Sequence, residues 1–154
     1  MSAPERPAVL VVDDNEATCT LITAILQREF QVECSIDGGD ALERLKTNKY
    51  AAILLDLRMP QPDGFSILDF LKANQPATLS RLIVVTAVLQ SKEVDRAKSY
   101  GICGVVAKPF EVETLLDAVK RCVGDSDSGM RGTGVFAAAP TILLIADLLS
   151  RRIG

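Results

Sequence analysis

The run Ile53-Leu54-Leu55-Asp56, followed by Met59-Pro60 and Asp63-Gly64, decides how this chain folds. Its apolar residues do not alternate with polar ones, so the segment reads as a strand buried on both faces, as in a parallel sheet covered by helices. The run then stops on a carboxylate, which a strand of this kind carries to the rim of its sheet. Similar runs lie on either side. Val9-Leu10-Val11-Val12 ends in Asp13-Asp14, Leu82-Ile83-Val84-Val85 ends in Thr86, and Val105-Val106-Ala107 leads into Lys108-Pro109. Ligands of open α/β sheets bind beyond the carboxyl ends of the strands, so three carboxylates, a hydroxyl and an amine are expected at one edge.

Between these runs the apolar period changes from strand-like to helical, which argues for repeated βα units. Strands are expected at about Ala8–Asp13, Val32–Ile36, Ala51–Asp56, Leu82–Thr86 and Cys103–Ala107. A first helix over Glu16–Glu29 would be capped by Asn15 and bury Leu21, Ile22, Ile25 and Leu26. Ala41, Leu42 and Leu45 mark a second helix behind a Gly38-Gly39 turn. Phe65, Leu68 and Leu71 mark a third, ended by Pro76. Val94, Ala97 and Tyr100 give a fourth, closed by Gly101, and Val112, Leu115, Leu116, Val119 and Val123 a fifth, stopped by Gly124. Five such units predict an α/β, flavodoxin-like, doubly wound five-stranded parallel sheet in the order 2-1-3-4-5.

Composition narrows the chemistry. A chain of 154 residues with 48% hydrophobic residues can bury a full core, and its net charge of −3 is small. Lys and Arg are dispersed rather than gathered into a stripe, so direct nucleic-acid binding is not expected. With no histidine anywhere, Ser-His-Asp and Cys-His catalysis and phosphohistidine chemistry are excluded, and a zinc site would need an unusual ligand set. Cys19, Cys34, Cys103 and Cys122 have no paired spacing and read as small core residues of a cytoplasmic protein. The opening residues lead into an apolar run too short for a signal peptide.

The ordered set Val11-Val12-Asp13-Asp14-Asn15, Leu54-Leu55-Asp56-Leu57-Arg58-Met59-Pro60 with Asp63-Gly64, Val85-Thr86-Ala87 and Lys108-Pro109-Phe110 resembles the receiver domain of two-component response regulators, chemotaxis regulators among them. The resemblance implies that Asp56 is the phosphoacceptor and that Thr86 and Lys108 meet the phosphoryl group. It also implies that Asp13 and Asp14 hold Mg²⁺ with Asp56 and the Arg58 backbone carbonyl, and that the Lys108-Pro109 bond is cis. The implied phosphodonor is a histidine kinase or a histidine phosphotransfer protein. The implied response lies on the face of the fourth helix, fifth strand and fifth helix, where a homodimer or a downstream effector would bind.

Elementary electrostatics points the same way. Carboxylates a few ångströms apart repel by about 4 kcal/mol per close pair at an effective dielectric near 20. A cation makes such a cluster tolerable, and all-oxygen ligation with few protein ligands suits octahedral Mg²⁺. A single Asp at a strand end is more often a turn or cap residue, Thr86 alone an ordinary β-branched strand residue, and Lys108 alone a surface amine. Their agreement across four strand ends is what argues for a site. Asp63-Gly64 reads as turn chemistry.

Two other classes remain open. An aspartyl-phosphate hydrolase also uses a strand-end Asp, but it carries a second acid two residues later, where Asn15 and Arg58 follow Asp13 and Asp56 here. A phosphorylation-independent pseudo-receiver usually lacks a site acid or the lysine. One position departs from the family: the residue three before Lys108, often Tyr or Phe, is Val105, and Tyr100 lies too early to replace it. Arg58 and Val88, two residues after Asp56 and Thr86, are expected to line the approach to the phosphoryl group. The chain divides into a tail (1–7), a receiver (8–123), a flexible Gly/Ser/Ala linker (124–140) and an apolar C-terminal segment (141–154). That last segment is too short to span a bilayer and reads as a docking helix, a truncated second copy of the first strand, or a disordered end. No effector domain is expected within these residues, nor membrane association.

Overall fold

Five short strands pair edge to edge as β1 (Ala8–Val12), β2 (Gln31–Ser35), β3 (Ala52–Leu55), β4 (Leu82–Thr86) and β5 (Gly104–Ala107). They form one parallel sheet in the order β2-β1-β3-β4-β5, the doubly wound topology expected from five βα repeats. The computed structural model describes residues 6–87 and 91–128; Val88, positions 129–140 of the expected linker and the segment 141–154 lie outside the described residues. The connecting helices are α1 (Glu16–Leu26), α2 (Gly38–Thr47), α3 (Gly64–Asn74), α4 (Ser91–Lys98) and α5 (Val112–Ser128), with a 3-10 helix over Pro76–Arg81.

Period-two geometry sends successive strand residues to opposite faces, and both faces are covered here. Leu10, Val12, Ile53, Leu55, Val84 and Val105 join residues of α2, α3 and α4 in one core. Val9, Val11, Leu54, Ile83, Val85 and Val106 join residues of α1 and α5 in the other. Hence β1, β3 and β4 read as unbroken hydrophobic runs. Each such side chain contributes about 1.5–3 kcal/mol on full burial, and the pattern fixes register, because a slip of one residue would exchange the two cores.

Helix ends follow local chemistry. Asn15 caps α1 by accepting the Thr18 amide at 3.1 Å, as expected. Asp63 caps α3 by accepting the Ser66 amide at 2.9 Å, and Gly64 is the first residue of that helix, so the expected Asp63-Gly64 turn is a helix cap. Gly64 cannot carry a side chain, since a Cβ would lie 2.6 Å from the Asp56 carbonyl oxygen and 2.5 Å from the Leu57 Cα. Gly101 adopts φ +81° after α4, the left-handed position anticipated for it.

Strand ends shift by about a residue, Leu21, expected on the inner stripe of α1, is 50% exposed, and three helix boundaries differ from expectation. α1 ends at Leu26 rather than Glu29, because the chain turns early to bury Phe30 beside β2. Gly38-Gly39 forms the first turn of α2 rather than a turn before it: Asp37 is the cap, and Gly38 packs where a Cβ would meet the Pro62 carbonyl oxygen at 2.0 Å. α5 passes Gly124, the expected stop, and continues to Ser128. Gly124 is exposed, and a helical glycine costs only about 1 kcal/mol, which weakens the helix without ending it.

Candidate functional site

Strand register brings the polar residues together. Val12 is aligned with Leu55 and Leu55 with Val84, so Asp13 and Asp56 leave adjacent strands side by side. The Asp56 amide donates to the Val12 carbonyl at 2.9 Å, and the Asp13 amide to the Ser35 carbonyl at 3.1 Å. On the other side, Thr86 is aligned with Ala107, and the Lys108 amide donates to the Thr86 carbonyl at 3.0 Å. Lys108 Nζ then crosses the rim to Asp13 Oδ2 at 2.6 Å and lies 3.5 Å from Asp56 Oδ2. Residues 95 apart in sequence meet through one hydrogen bond.

Burial sets the chemistry of this edge. Asp13, Asp56 and Thr86 are 2%, 7% and 0% exposed, whereas Asp14 faces solvent. Asp13, Asp14 and Asp56 can each offer a carboxylate oxygen with all three lying within 4.8 Å of one another. Burial is the main cause that raises the Asp56 carboxyl above its ordinary range; Lys108 opposes it, and the charge of Asp13 adds to it. Burial alone would lower the Lys108 ammonium, but its hydrogen bond to Asp13 and the charges of Asp56 and Asp13 together hold it raised. Two buried acids thus share one lysine, with the exposed Asp14 beside them. The donor set is all oxygen, crowded and short of positive charge, and it fits a hard divalent cation.

Backbone amides complete the pocket. The Asn15 amide donates to Asp13 Oδ1 at 2.9 Å, and the Arg58 amide to Asp56 Oδ1 at 3.2 Å. The Lys108-Pro109 bond is cis, as the resemblance implied, and so is Gln61-Pro62. The Arg58 guanidinium turns to Glu93 Oε1 of α4 at 3.6 Å, and both residues line a cleft of about 470 Å³ with Asp14, Met59 and Phe65. Glu93 went unnoticed in the sequence because an acid in the first turn of a helix is ordinary. Val105 is buried, and Tyr100 lies elsewhere, on Phe65 with ring centroids 6.5 Å apart and with its hydroxyl on Asp69 of α3.

Cys19 is a second neighbour that spacing did not reveal. Its thiol donates to the Asp13 carbonyl at 3.4 Å, and burial, aided by the adjacent Cys34 thiol, pushes it up to about 12. Cys103 and Cys122 are buried core residues, as expected.

No helix among the described residues is long and apolar enough to cross a membrane. The chain is 30% identical over 113 residues to the response regulator ArlR of Staphylococcus saprophyticus, covering 73% of this chain and 50% of that protein. It is 29% identical over 126 residues to a probable chemotaxis protein CheY of Rhizobium etli, covering 80% of this chain and 98% of that one. It therefore spans half of one relative and nearly all of the other. The receiver domain of a Francisella response regulator superposes with a TM-score of 0.72 at 26% identity, covering 79% of this chain and 99% of that one. The family model of the response regulator receiver domain matches residues 9–120, from β1 into α5 and across every strand end described above. With that match joined to the 2-1-3-4-5 sheet and its acidic rim, the chain belongs to the response regulator receiver domain family of two-component signalling.

Proposed function

We propose that this receiver is a phosphoacceptor switch in which Asp56 takes a phosphoryl group from a histidine kinase or a histidine phosphotransfer protein. The observation that carries the reading is the convergence of Asp13, Asp56 and Lys108 on one rim, with Lys108 Nζ 2.6 Å from Asp13 and 3.5 Å from Asp56. An Asp56 carboxylate oxygen attacks phosphorus, the P–N bond to the donor imidazole breaks, and the donor nitrogen takes up a proton. The rigid strand end orients the nucleophile, and the Arg58 amide holds its other oxygen. Lys108 faces the equatorial phosphoryl oxygens, which carry the charge of a loose transition state. Asp13, Asp14, Asp56 and the Arg58 carbonyl would hold Mg²⁺, which supplies charge neutralisation at the same oxygens. The domain is thus a signalling element whose only chemistry is its own phosphorylation and the hydrolysis that resets it.

Thr86 ends β4 immediately before the segment leading into α4, and Lys108 directly follows β5, before α5. A phosphoryl group drawing on both biases the α4–β5–α5 face, which we assign to an effector or to a second copy of the chain. Val105 cannot provide an aromatic ring that swings inward, so aromatic coupling in its usual form does not operate. We place this activity in the cytoplasm, in residues 8–123, without direct nucleic-acid contact. The aspartyl-phosphate hydrolase alternative is not favoured, because the positions two after Asp13 and Asp56 are occupied by Asn15 and Arg58, which give only amide donors to the acids.

Acetyl phosphate with and without Mg²⁺ tests the reading by intact mass. The wild type should gain one phosphoryl group only with Mg²⁺, and Asp56→Asn should gain none. Equal labelling of the two proteins would remove Asp56 from the reaction.

A further inference from the structure

The structure brings together two cysteines that the sequence separates by fifteen residues. Cys19 lies on the inner face of α1 and Cys34 on β2, the edge strand of the sheet. Cys34 Sγ is 3.7 Å from the Cys19 carbonyl oxygen, and the Cys34 thiol is close enough to help raise the Cys19 thiol. Thr23 Oγ1 lies 3.3 Å from Cys34 Sγ and donates to the Cys19 carbonyl at 2.8 Å. The Thr23 proton is used on that carbonyl, and the single Cys34 S–H has both the Thr23 oxygen and the Cys19 carbonyl as acceptors within reach. Once Cys34 loses its proton, the Thr23 hydroxyl can turn and donate to the sulfur instead. Both cysteines line a groove of about 540 Å³ between α1 and β2, with Glu16, Gln27 and Ile36 at its walls. Cys34 is half-buried there, whereas Cys19, Cys103 and Cys122 are buried.

We propose that Cys19 and Cys34 form a dithiol–disulfide site that ties α1 to the edge strand β2, oxidised by a small-molecule disulfide entering the groove. The Cys34 thiolate attacks one sulfur of the oxidant. The oxidant's S–S bond breaks, a first thiolate leaves, and a mixed disulfide forms on Cys34. The Cys19 sulfur, after giving up its proton, attacks the Cys34 sulfur and expels the second thiolate. The two protein thiols lose two electrons and two protons, and the oxidant becomes two thiols. Closing the bond also takes the Cys19 S–H away from the Asp13 carbonyl, which it meets at 3.4 Å, so oxidation reaches the acidic rim.

The test uses the full chain and oxidised glutathione. After oxidation, free thiols are blocked by alkylation and the protein is cleaved with trypsin, which cuts after Arg28 and separates Cys19 from Cys34. A linked peptide pair holding Cys19 and Cys34, with Cys103 and Cys122 alkylated, is the expected product. Cys19→Ala should stop at the glutathione adduct on Cys34, and Cys34→Ser should leave Cys19 alkylatable. Pairing through Cys103 or Cys122, linkage only between molecules, or full alkylation of all four cysteines would overturn the proposal. Amide signals of Asp13, Asp14 and Asn15 should shift on oxidation, and unchanged signals would overturn the link to the rim. Neither readout depends on phosphorylation, so failure here and failure of the phosphoacceptor reading remain distinct.

Discussion

Two charge networks contrast in this protein, one on the surface of α2 and β2 and one at the strand-end rim. On α2 and β2, Arg44 meets Asp40 at 2.8 Å and Glu33 at 2.8 Å, with side chains between 35% and 46% exposed. At the rim, Lys108 meets Asp13 and Asp56 with side chains no more than 20% exposed. The residue types are alike, yet the carboxyls respond in opposite directions. Asp40 is held below the ordinary carboxylate range by the Ser35 hydroxyl and then by Arg44, whereas Asp56 is raised, chiefly by burial. Water screens the first network and makes it nearly neutral in stability. Exclusion of water from the second leaves unbalanced charge, which is how a fold holds a reactive group ready at some expense in stability.

The sharpest way to break this contrast is Lys108→Ala. It leaves Asp13 and Asp56 buried without their cation, so unfolding free energy in metal-free buffer should fall by about 3 kcal/mol, the size usual for breaking a buried pair. Urea denaturation would measure it. Mg²⁺ should restore part of the loss if the acids bind it, and phosphorylation from acetyl phosphate should slow sharply. A loss below that of an Arg44→Ala control would show that the rim is as well screened as the surface.

Asp56→Asn should do the reverse. An acid whose folded pKa is raised holds its proton more tightly when folded, so its stabilising contribution is present below the unfolded pKa and lost as pH rises through the folded one. At pH 7 the ionised Asp56 therefore costs stability, and the asparagine variant should be more stable by about 1 kcal/mol, within the ordinary range of single substitutions. That advantage should vanish in acid, where the wild-type carboxyl is protonated. Thermal unfolding at pH 7 and pH 4 decides the matter, and a pH-independent difference would rule out charge as the cause.

Thr86→Ala separates reaction from response. It removes a fully buried hydroxyl at the end of β4 and spares the acids and Lys108, so phosphorylation should stay measurable. Amide exchange in α4 with and without beryllofluoride should then change less than in the wild type. Equal changes in both proteins would take Thr86 out of the switch.

The smallest effect belongs to the exposed network. Arg44→Ala should cost well under about 1 kcal/mol and less still in high salt. The Asp40 carboxyl, followed by NMR, should titrate below the usual range in wild type, so its modest stabilisation is present above the unfolded pKa and lost as pH falls through the folded one. The remaining Ser35 hydroxyl should keep Asp40 low in Arg44→Ala. A full return to the ordinary value would make Arg44 the dominant cause.

The strands and the site acids were legible because a parallel strand buried on both faces has a distinctive hydrophobic run, and its end is marked by the first polar residue. Asp13, Asp56, Thr86 and Lys108 each stand at such an end, and sheet topology needed only strand length and βα spacing. Helix stops were less legible, as Gly124 shows: glycine weakens a helix by only about 1 kcal/mol, so it ends one where the chain also needs a left-handed turn, as at Gly101.

What the sequence determined by itself is the period of its apolar residues, hence the two-faced sheet, its order, and the set of polar groups at one edge. Tertiary structure decided the distances. Lys108 reaches Asp13 across 95 residues, Arg58 meets Glu93 of α4, and Cys34 comes against Cys19. These contacts join elements through packing and register rather than through spacing along the chain. They also decide how far water is excluded, and so which carboxyl rises and which falls.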